Sequence, residues 1–169
     1  KSGLFLHLNT NKRSVTLNLK SSSGRRIFLD LAKTADVVVE SFRPGVMASF
    51  GLEYTAIREA NPQVLMASIS NFGQTGPYRD FKISELVLSG ITGQMYLTGL
   101  PEREPLKYGG TVIQYQGGLL ALAGIMGAIC MREWQGVGQY LDLSLMQLMA
   151  CSFDFRASST IAYQFSGQV

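Results

Sequence analysis

The sequence has few of the residues that metal sites and disulfide frameworks need. It holds one histidine, His7, and two cysteines, Cys130 and Cys151, which show no metal-ligand spacing. We therefore predict no metal site. Both cysteines stand in apolar helical stretches, so we expect buried, reduced thiols of a cytoplasmic protein. His7 lies on an apolar stretch, which favours a packed structural histidine over a catalytic one.

Excess charge and long charge-free apolar runs are also missing. The net charge is +3 and the basic residues are scattered, which excludes a nucleic-acid footprint. This charge fits a ligand with a few phosphates, and it equally fits a slightly basic surface. The most apolar stretch, GGLLALAGIMGAICM (117–131), holds four glycines and is followed by Arg132. It favours a buried core helix over a membrane span, and no signal peptide is visible.

The composition is that of an ordinary globular protein. The chain has 169 residues, 46% of them hydrophobic and 16% charged, which is enough for one core. It begins at Lys1, already inside a patterned segment. We expect residues 1–169 to form a single partial domain, a piece of a longer protein.

The pattern of apolar residues predicts an α/β fold with a parallel sheet covered by helices. Strands are predicted at SVTLNLK (14–20), ADVVVES (35–41), VLMASIS (64–70) and YLDLS (140–144). Helices are predicted after Ser21–Ser23, which supply N-cap candidates, twice within 46–61, at about 84–96, at about 116–134 and after 144. Ligands of such sheets bind beyond the carboxyl ends of the strands, so the loops at 41–45 and 71–82 are where a site is expected.

Four stretches in this order and spacing resemble the class III CoA-transferase family, which includes carnitine and formyl-CoA transferases and α-methylacyl-CoA racemases. They are NTNKRSVTLNLKS, ADVVVESFRPGVMASFGLEY, NPQVLMASISNFGQTGPYRD and GQYLDLSLMQ, and the resemblance runs from about Leu4 to Leu148. It implies a Rossmann-like large domain in a chain about twice as long, lacking here its first strand and its second half. It also implies two chains interlocked as rings, either a homodimer or a heterodimer with an aspartate-bearing paralogue.

The resemblance implies an enzyme that binds acyl-CoA as substrate, with no tightly bound cofactor, and transfers CoA between carboxylic acids. The positions that match the family's CoA site are Leu17, Lys20, Ser41, Phe42, Arg43, Val46, Phe50 and Lys82. Asn71 to Gly73 would line the same crevice. Some of these positions also have a purely structural interpretation. Leu17 can be an ordinary strand residue, Lys20 a solvated surface lysine, and Arg-Pro-Gly (43–45) a turn that starts a helix. Ser49 departs from the family, which usually has arginine there.

The catalytic position also departs from the family. In the family an aspartate in the turn before the long helix attacks the thioester carbonyl, and that aspartate falls on Gln114. An amide cannot replace it. The racemase branch pairs the aspartate with a histidine, whose position here is Ser84. Glu85 matches the position where the family has an acidic residue beside the thioester. It could act as a base, or it could be a carboxylate favoured at a helix N-terminus. Asp142 matches a structural position of the family.

Three functions follow from these residues. The first is a CoA-transferase that depends on a partner subunit carrying the aspartate. The second is a non-catalytic CoA-binding subunit of a heteromeric CoA-transferase. The third is an acyl-CoA isomerase or lyase that uses Glu85.

Overall fold

A computed structural model describes residues 2–152 and 156–167. Its helices are α1 (Gly3–Leu8), α2 (Ser22–Ala32), α3 (Val46–Ser49), α4 (Tyr54–Ala60), α5 (Glu85–Ile91), α6 (Val112–Gln135), α7 (Leu145–Ala150) and α8 (Arg156–Ser166). Its strands are β1 (Val37–Glu40), β2 (Leu65–Ser70) and β3 (Tyr140–Ser144), and a 3₁₀ turn covers Met95–Leu97. The prediction of an α/β fold is confirmed.

The three strands form one parallel sheet in the order β1-β2-β3. Val37 pairs with Leu65 on one side of β2, and Met66 pairs with Tyr140 on the other. Five of the six residues of β2 are buried, as expected for a central parallel strand with helices on both faces. All three strands therefore end at the same edge of the sheet.

Two apolar clusters cover the opposite faces of β2. One contains Met66 with residues of α2, α3 and α4; the other contains Ile69 with residues of α5, α6 and α7. Met66 and Ile69 are three positions apart on a strand, so their side chains point to opposite faces. The clusters hold the sheet between two helical layers.

Two polar side chains, Ser21 and Asn61, stabilise the beginning and the end of α2. The Ser21 hydroxyl accepts a hydrogen bond from the Gly24 N–H at 3.0 Å, which confirms the N-cap predicted from the serine triplet. Asn61 follows α4, and its Nδ2 donates to the carbonyls of Ala32 at 3.1 Å and Ala35 at 3.0 Å. Asn61 thus joins the end of α2 to the segment that leads into β2.

The long helix α6 packs along one narrow stripe. Its buried residues are Ile113, Gly117, Ala121 and Ala128, whose spacing follows one face of a helix. A Cβ on Gly117 would overlap the side chain of Leu145, so glycine lets α7 approach closely. Among the described residues, α6 is the one helix long and apolar enough to cross a membrane by length and composition, and 22% of its most apolar window is buried.

The prediction of a buried core helix is therefore wrong for most of α6. Only the stripe facing β2, β3, α5 and α7 is covered, and Cys130 on α6 is exposed. Cys151, just after α7, is exposed as well, so the expectation of two buried thiols is also wrong. An apolar sequence indicates burial only where a second element is present to cover each face.

Other predictions from periodicity fail in the first hundred residues. Residues 14–20 form no strand, because alternation makes a strand only where a neighbouring strand supplies the ladder hydrogen bonds. Val15 is 68% exposed. His7 is exposed on α1, a helix that buries none of its residues, so it is not a packed core histidine. The helix predicted to reach residue 96 ends at Ile91.

The start of α6 is held by a carboxylate from α5. The Glu85 Oε1 accepts a hydrogen bond from the backbone N–H of Ile113 at 2.8 Å. The first N–H groups of a helix have no partner within the helix, so this bond satisfies one of them. It also sets the position of α5 against α6.

Asn61→Asp should lower the free energy of unfolding by about 2 kcal/mol, because a carboxylate oxygen would then face two carbonyl oxygens. Asn18→Asp is the matched control. The Asn18 Oδ1 accepts from the Lys20 N–H, which a carboxylate also does, so its effect should stay within about 0.5 kcal/mol. Urea unfolding of the full protein measures both. Equal midpoints for the two variants would contradict the role given to Asn61.

Glu85→Ala should destabilise the protein by about 1 kcal/mol, since the Ile113 N–H loses its acceptor. Glu85→Gln keeps an acceptor oxygen and should lose less than half of that. Thermal unfolding followed by circular dichroism measures both. If the glutamine variant were as unstable as the alanine variant, the charge rather than the hydrogen bond would be what matters.

Candidate active site

A cavity of about 610 Å³ lies at the carboxyl ends of the strands. It is bounded by the loop after β1, the loop after β2, the first turn of α6 and the beginning of α7. Its lining residues are Ser41, Phe42, Arg43, Pro44, Val46, Ile69, Ser70, Asn71, Arg79, Asp80, Phe81, Lys82, Ile83, Gln114 and Leu145. The position agrees with the rule that ligands bind beyond the carboxyl ends of parallel strands.

The loop after β1 is shaped by a buried acid. Glu40, the last residue of β1, is 8% exposed, and its Oε2 accepts a hydrogen bond from the Phe42 N–H at 2.8 Å. This contact turns the chain so that residues 41–44 line the cavity. Glu40 was not identified from the sequence, although an acid at the end of a buried strand is a signal that could have found it.

The loop after β2 is tied to β3. Both carboxylate oxygens of Asp142 accept from the Gln74 N–H at 3.0 Å, and the Met146 N–H donates to the Asn71 carbonyl at 2.9 Å. The structural role predicted for Asp142 agrees with this contact. The loop is thereby held over the end of the sheet, where it places Lys82 on the cavity wall.

Beneath these loops Tyr140 of β3 stacks on Tyr54, with ring centroids 5.4 Å apart. Burial raises the pKa of the Tyr140 phenol above its usual value, with the carboxylates of Asp142 and Glu40 adding to the shift. The phenol therefore stays neutral at physiological pH. Tyr140 does not line the cavity, and its stacking on Tyr54 instead joins β3 to α4.

Three basic side chains and one acid line the cavity. Arg43, Arg79 and Lys82 are the bases, and Asp80 is the acid, 3.7 Å from the Arg79 Nε. The surplus of positive charge favours an anionic ligand. Arg79 was not among the predicted site residues, although it stands in the loop at 71–82 where a site was expected.

Gln114 lies at the cavity wall, in the first turn of α6. The sequence analysis expected it in the turn before the helix, but α6 begins at Val112, four residues earlier than predicted. Glu85 is next to this turn through its bond to Ile113, and it does not line the cavity. Its second oxygen, Oε2, is buried without a hydrogen-bond partner.

The structure brings seven of the predicted site residues together in this cavity, namely Ser41, Phe42, Arg43, Val46, Asn71, Lys82 and Gln114. Lys20 and Phe50 line a second cavity of about 530 Å³. Phe50 contacts Phe42 edge to face, with ring centroids 6.4 Å apart. Leu17, in the irregular segment before α2, lines neither cavity.

The groups at the larger cavity can bind and orient an anion, and the one carboxylate among them, Asp80, lies 3.7 Å from the Arg79 Nε. Gln114 is a neutral amide. In residues 2–152 and 156–167, no three His, Cys, Asp or Glu side chains lie close enough together to hold a metal ion. The chemistry available to this wall is thus hydrogen bonding and charge pairing.

The chain is similar to curated proteins of one enzyme class. It is 39% identical over 142 residues to the acetyl-CoA:oxalate CoA-transferase of Acetobacter aceti, and the match covers 83% of this chain and 36% of that protein. It is 38% identical over 150 residues to the succinyl-CoA–L-malate CoA-transferase beta subunit of Chloroflexus aurantiacus, covering 88% of this chain and 37% of that one. The chain therefore spans well under half the length of these relatives.

The fold is likewise that of solved structures. A CAIB/BAIF family protein from Brucella suis superposes with a TM-score of 0.86 at 36% identity, over 95% of this chain and 42% of that one. The model of CoA-transferase family III matches residues 1–168. The chain belongs to CoA-transferase family III, as its sequence motifs predicted.

Proposed function

We propose that the protein binds acyl-CoA and takes part in the transfer of CoA between carboxylic acids, together with a partner subunit that carries the nucleophilic aspartate. The observation that carries this proposal is the convergence of three separate segments on one cavity. Residues 41–46, Lys82 and Gln114 are far apart in sequence and line the same space. They are also positions at which the family resemblance implies CoA contacts and the nucleophile.

The charges of this cavity support a CoA ligand. Arg43, Arg79 and Lys82 provide cations for a diphosphate, and guanidinium groups form charge-assisted hydrogen bonds with phosphate oxygens. Phe42 and Val46 offer apolar surface to the rest of the molecule. No tightly bound cofactor is needed, because the thioester itself is the activated group.

The transfer needs a carboxylate. It attacks the thioester carbonyl and expels CoA thiolate, leaving a mixed anhydride. The thiolate then attacks the enzyme's acyl carbon, which releases the donor acid and leaves an enzyme thioester. An acceptor carboxylate reverses these two steps and leaves as its own CoA thioester.

Gln114 cannot perform the first step, since an amide nitrogen is not a nucleophile at neutral pH. This chain would therefore hold the CoA, and the partner would supply the acid. A relative named as a beta subunit supports a heteromeric arrangement. The exposed apolar surface of α6 also supports a partner, and we propose the interlocked arrangement of the family within a Rossmann-like domain, as a heterodimer in the cytoplasm.

A non-catalytic CoA-binding subunit is the second candidate, favoured by Gln114 standing on the cavity wall. Isomerase or lyase chemistry through Glu85 has less support. One oxygen of Glu85 already accepts the Ile113 N–H, and the side chain does not line the cavity. The buried Oε2 is the only feature that favours a base there.

Gln114→Asp in the full protein should create CoA exchange between an acyl-CoA and an acceptor acid, because it restores a carboxylate at the cavity wall. We expect a rate about 10³-fold or more above the wild-type protein assayed alone. Gln116→Asp is the matched control, since it makes the same change two residues along α6 at a position outside the cavity. Hydroxylamine trapping of an acyl-enzyme provides a second measurement.

Two outcomes would contradict this proposal. Exchange by the wild-type protein without a partner would remove the need for a second subunit. A folded Gln114→Asp variant that binds acyl-CoA and still gives neither exchange nor trapped acyl group would show that more than the nucleophile is missing, which favours the non-catalytic subunit.

A further inference from the structure

The second cavity has the composition of an anion site. It lies between the start of α2 and the end of α3 and is lined by Leu19, Lys20, Ser21, Ser22, Arg25, Ser49, Phe50 and Gly51. Two of these residues are cations and three carry hydroxyl groups; none is acidic. The positive end of the α2 dipole faces the same space, because Ser21 and Ser22 open that helix.

The two cations of this cavity are not engaged by acids. In residues 2–152 and 156–167 the ion pairs involve Lys33, Arg79 and Arg132, and neither Lys20 nor Arg25. Both side chains are exposed. Their charges are therefore available to a ligand.

The position of the Arg25 guanidinium depends on a glycine. Gly51 has φ +63°, and a Cβ built on it would lie 2.8 Å from Arg25 Cζ and 2.8 Å from Arg25 Nη1. A side chain at this position would displace the arginine. The guanidinium thus lies against the backbone after α3, and Arg25 lines the cavity that Ser49 and Phe50 also line.

We propose that Arg25, with Lys20, binds the terminal phosphate monoester of the CoA nucleotide and makes the protein selective for CoA over its 3′-dephospho form. This inference rests on the proposed function, and it assigns a phosphate contact to a residue outside the positions that match the family's CoA site. A phosphate monoester carries up to two negative charges and three acceptor oxygens, which suit a planar guanidinium and an ammonium together.

The arrangement of the two cavities explains why the terminal phosphate is the group concerned. Gln114, where the thioester would react, lines the larger cavity. Phe42 of that cavity contacts Phe50 of the second one, so the two spaces meet at this aromatic pair. If the thioester end of CoA lies at Gln114 and its diphosphate lies at Arg43 and Lys82, the nucleotide end extends toward the second cavity.

The test compares CoA with 3′-dephospho-CoA by titration calorimetry on the full protein. We expect the wild-type protein to bind CoA about tenfold or more tightly than the dephospho form, as one charge-assisted contact allows. Arg25→Gln should lose most of that preference by weakening CoA binding alone, and Arg25→Lys should keep part of it. Arg26→Gln is the matched control, because Arg26 is the next residue on α2 and does not line the cavity.

Three results would overturn the inference. If Arg25→Gln binds both ligands as the wild type does, Arg25 makes no phosphate contact. Equal weakening for both ligands would place the arginine at the diphosphate, away from the terminal phosphate. A wild-type protein that binds neither ligand would refute the proposed function itself, and this is distinguishable because it appears before any variant is made.

Discussion

The parallel pairing of β1, β2 and β3 is the constraint on which the rest depends. Because the three strands run in the same direction, the loops that follow them meet at one edge of the sheet. Residues that are 70 positions apart in the chain thereby line one cavity. The loops are then held by contacts to the strands themselves: Glu40 turns the first onto the cavity, and Asp142 fixes the second.

We propose that the site is a binding site whose reactive group has been replaced. The chain belongs to CoA-transferase family III, and cations surround a cavity at the carboxyl end of its sheet. At the first turn of α6, an amide stands where the resemblance implies an attacking acid. The fold does not depend on that acid, since the Ile113 N–H at the start of α6 donates a hydrogen bond to Glu85 and α6 packs through Gly117 against α7. A nucleophile can therefore be lost while the cavity persists.

The sequence predicted the sheet well and the surfaces poorly. The β2 segment was identifiable because all six of its residues are apolar or small and it stands between turn signals. The segment at 14–20 has a clear alternation, yet the structure forms no strand there, because pairing depends on a neighbour that periodicity cannot reveal. Arg25 could not be found from the sequence either. Its place beside Gly51 is set by the packing of α2 against α3 and α4, over 26 positions of the chain.

The central claim is that the cavity at the carboxyl ends of the strands holds the thioester end of CoA. A crystal structure of the full protein with CoA tests it most directly. We expect the CoA thiol beside the Gln114 amide, with the diphosphate at Arg43 and Lys82. CoA bound elsewhere, with this cavity filled only by solvent, would contradict the account.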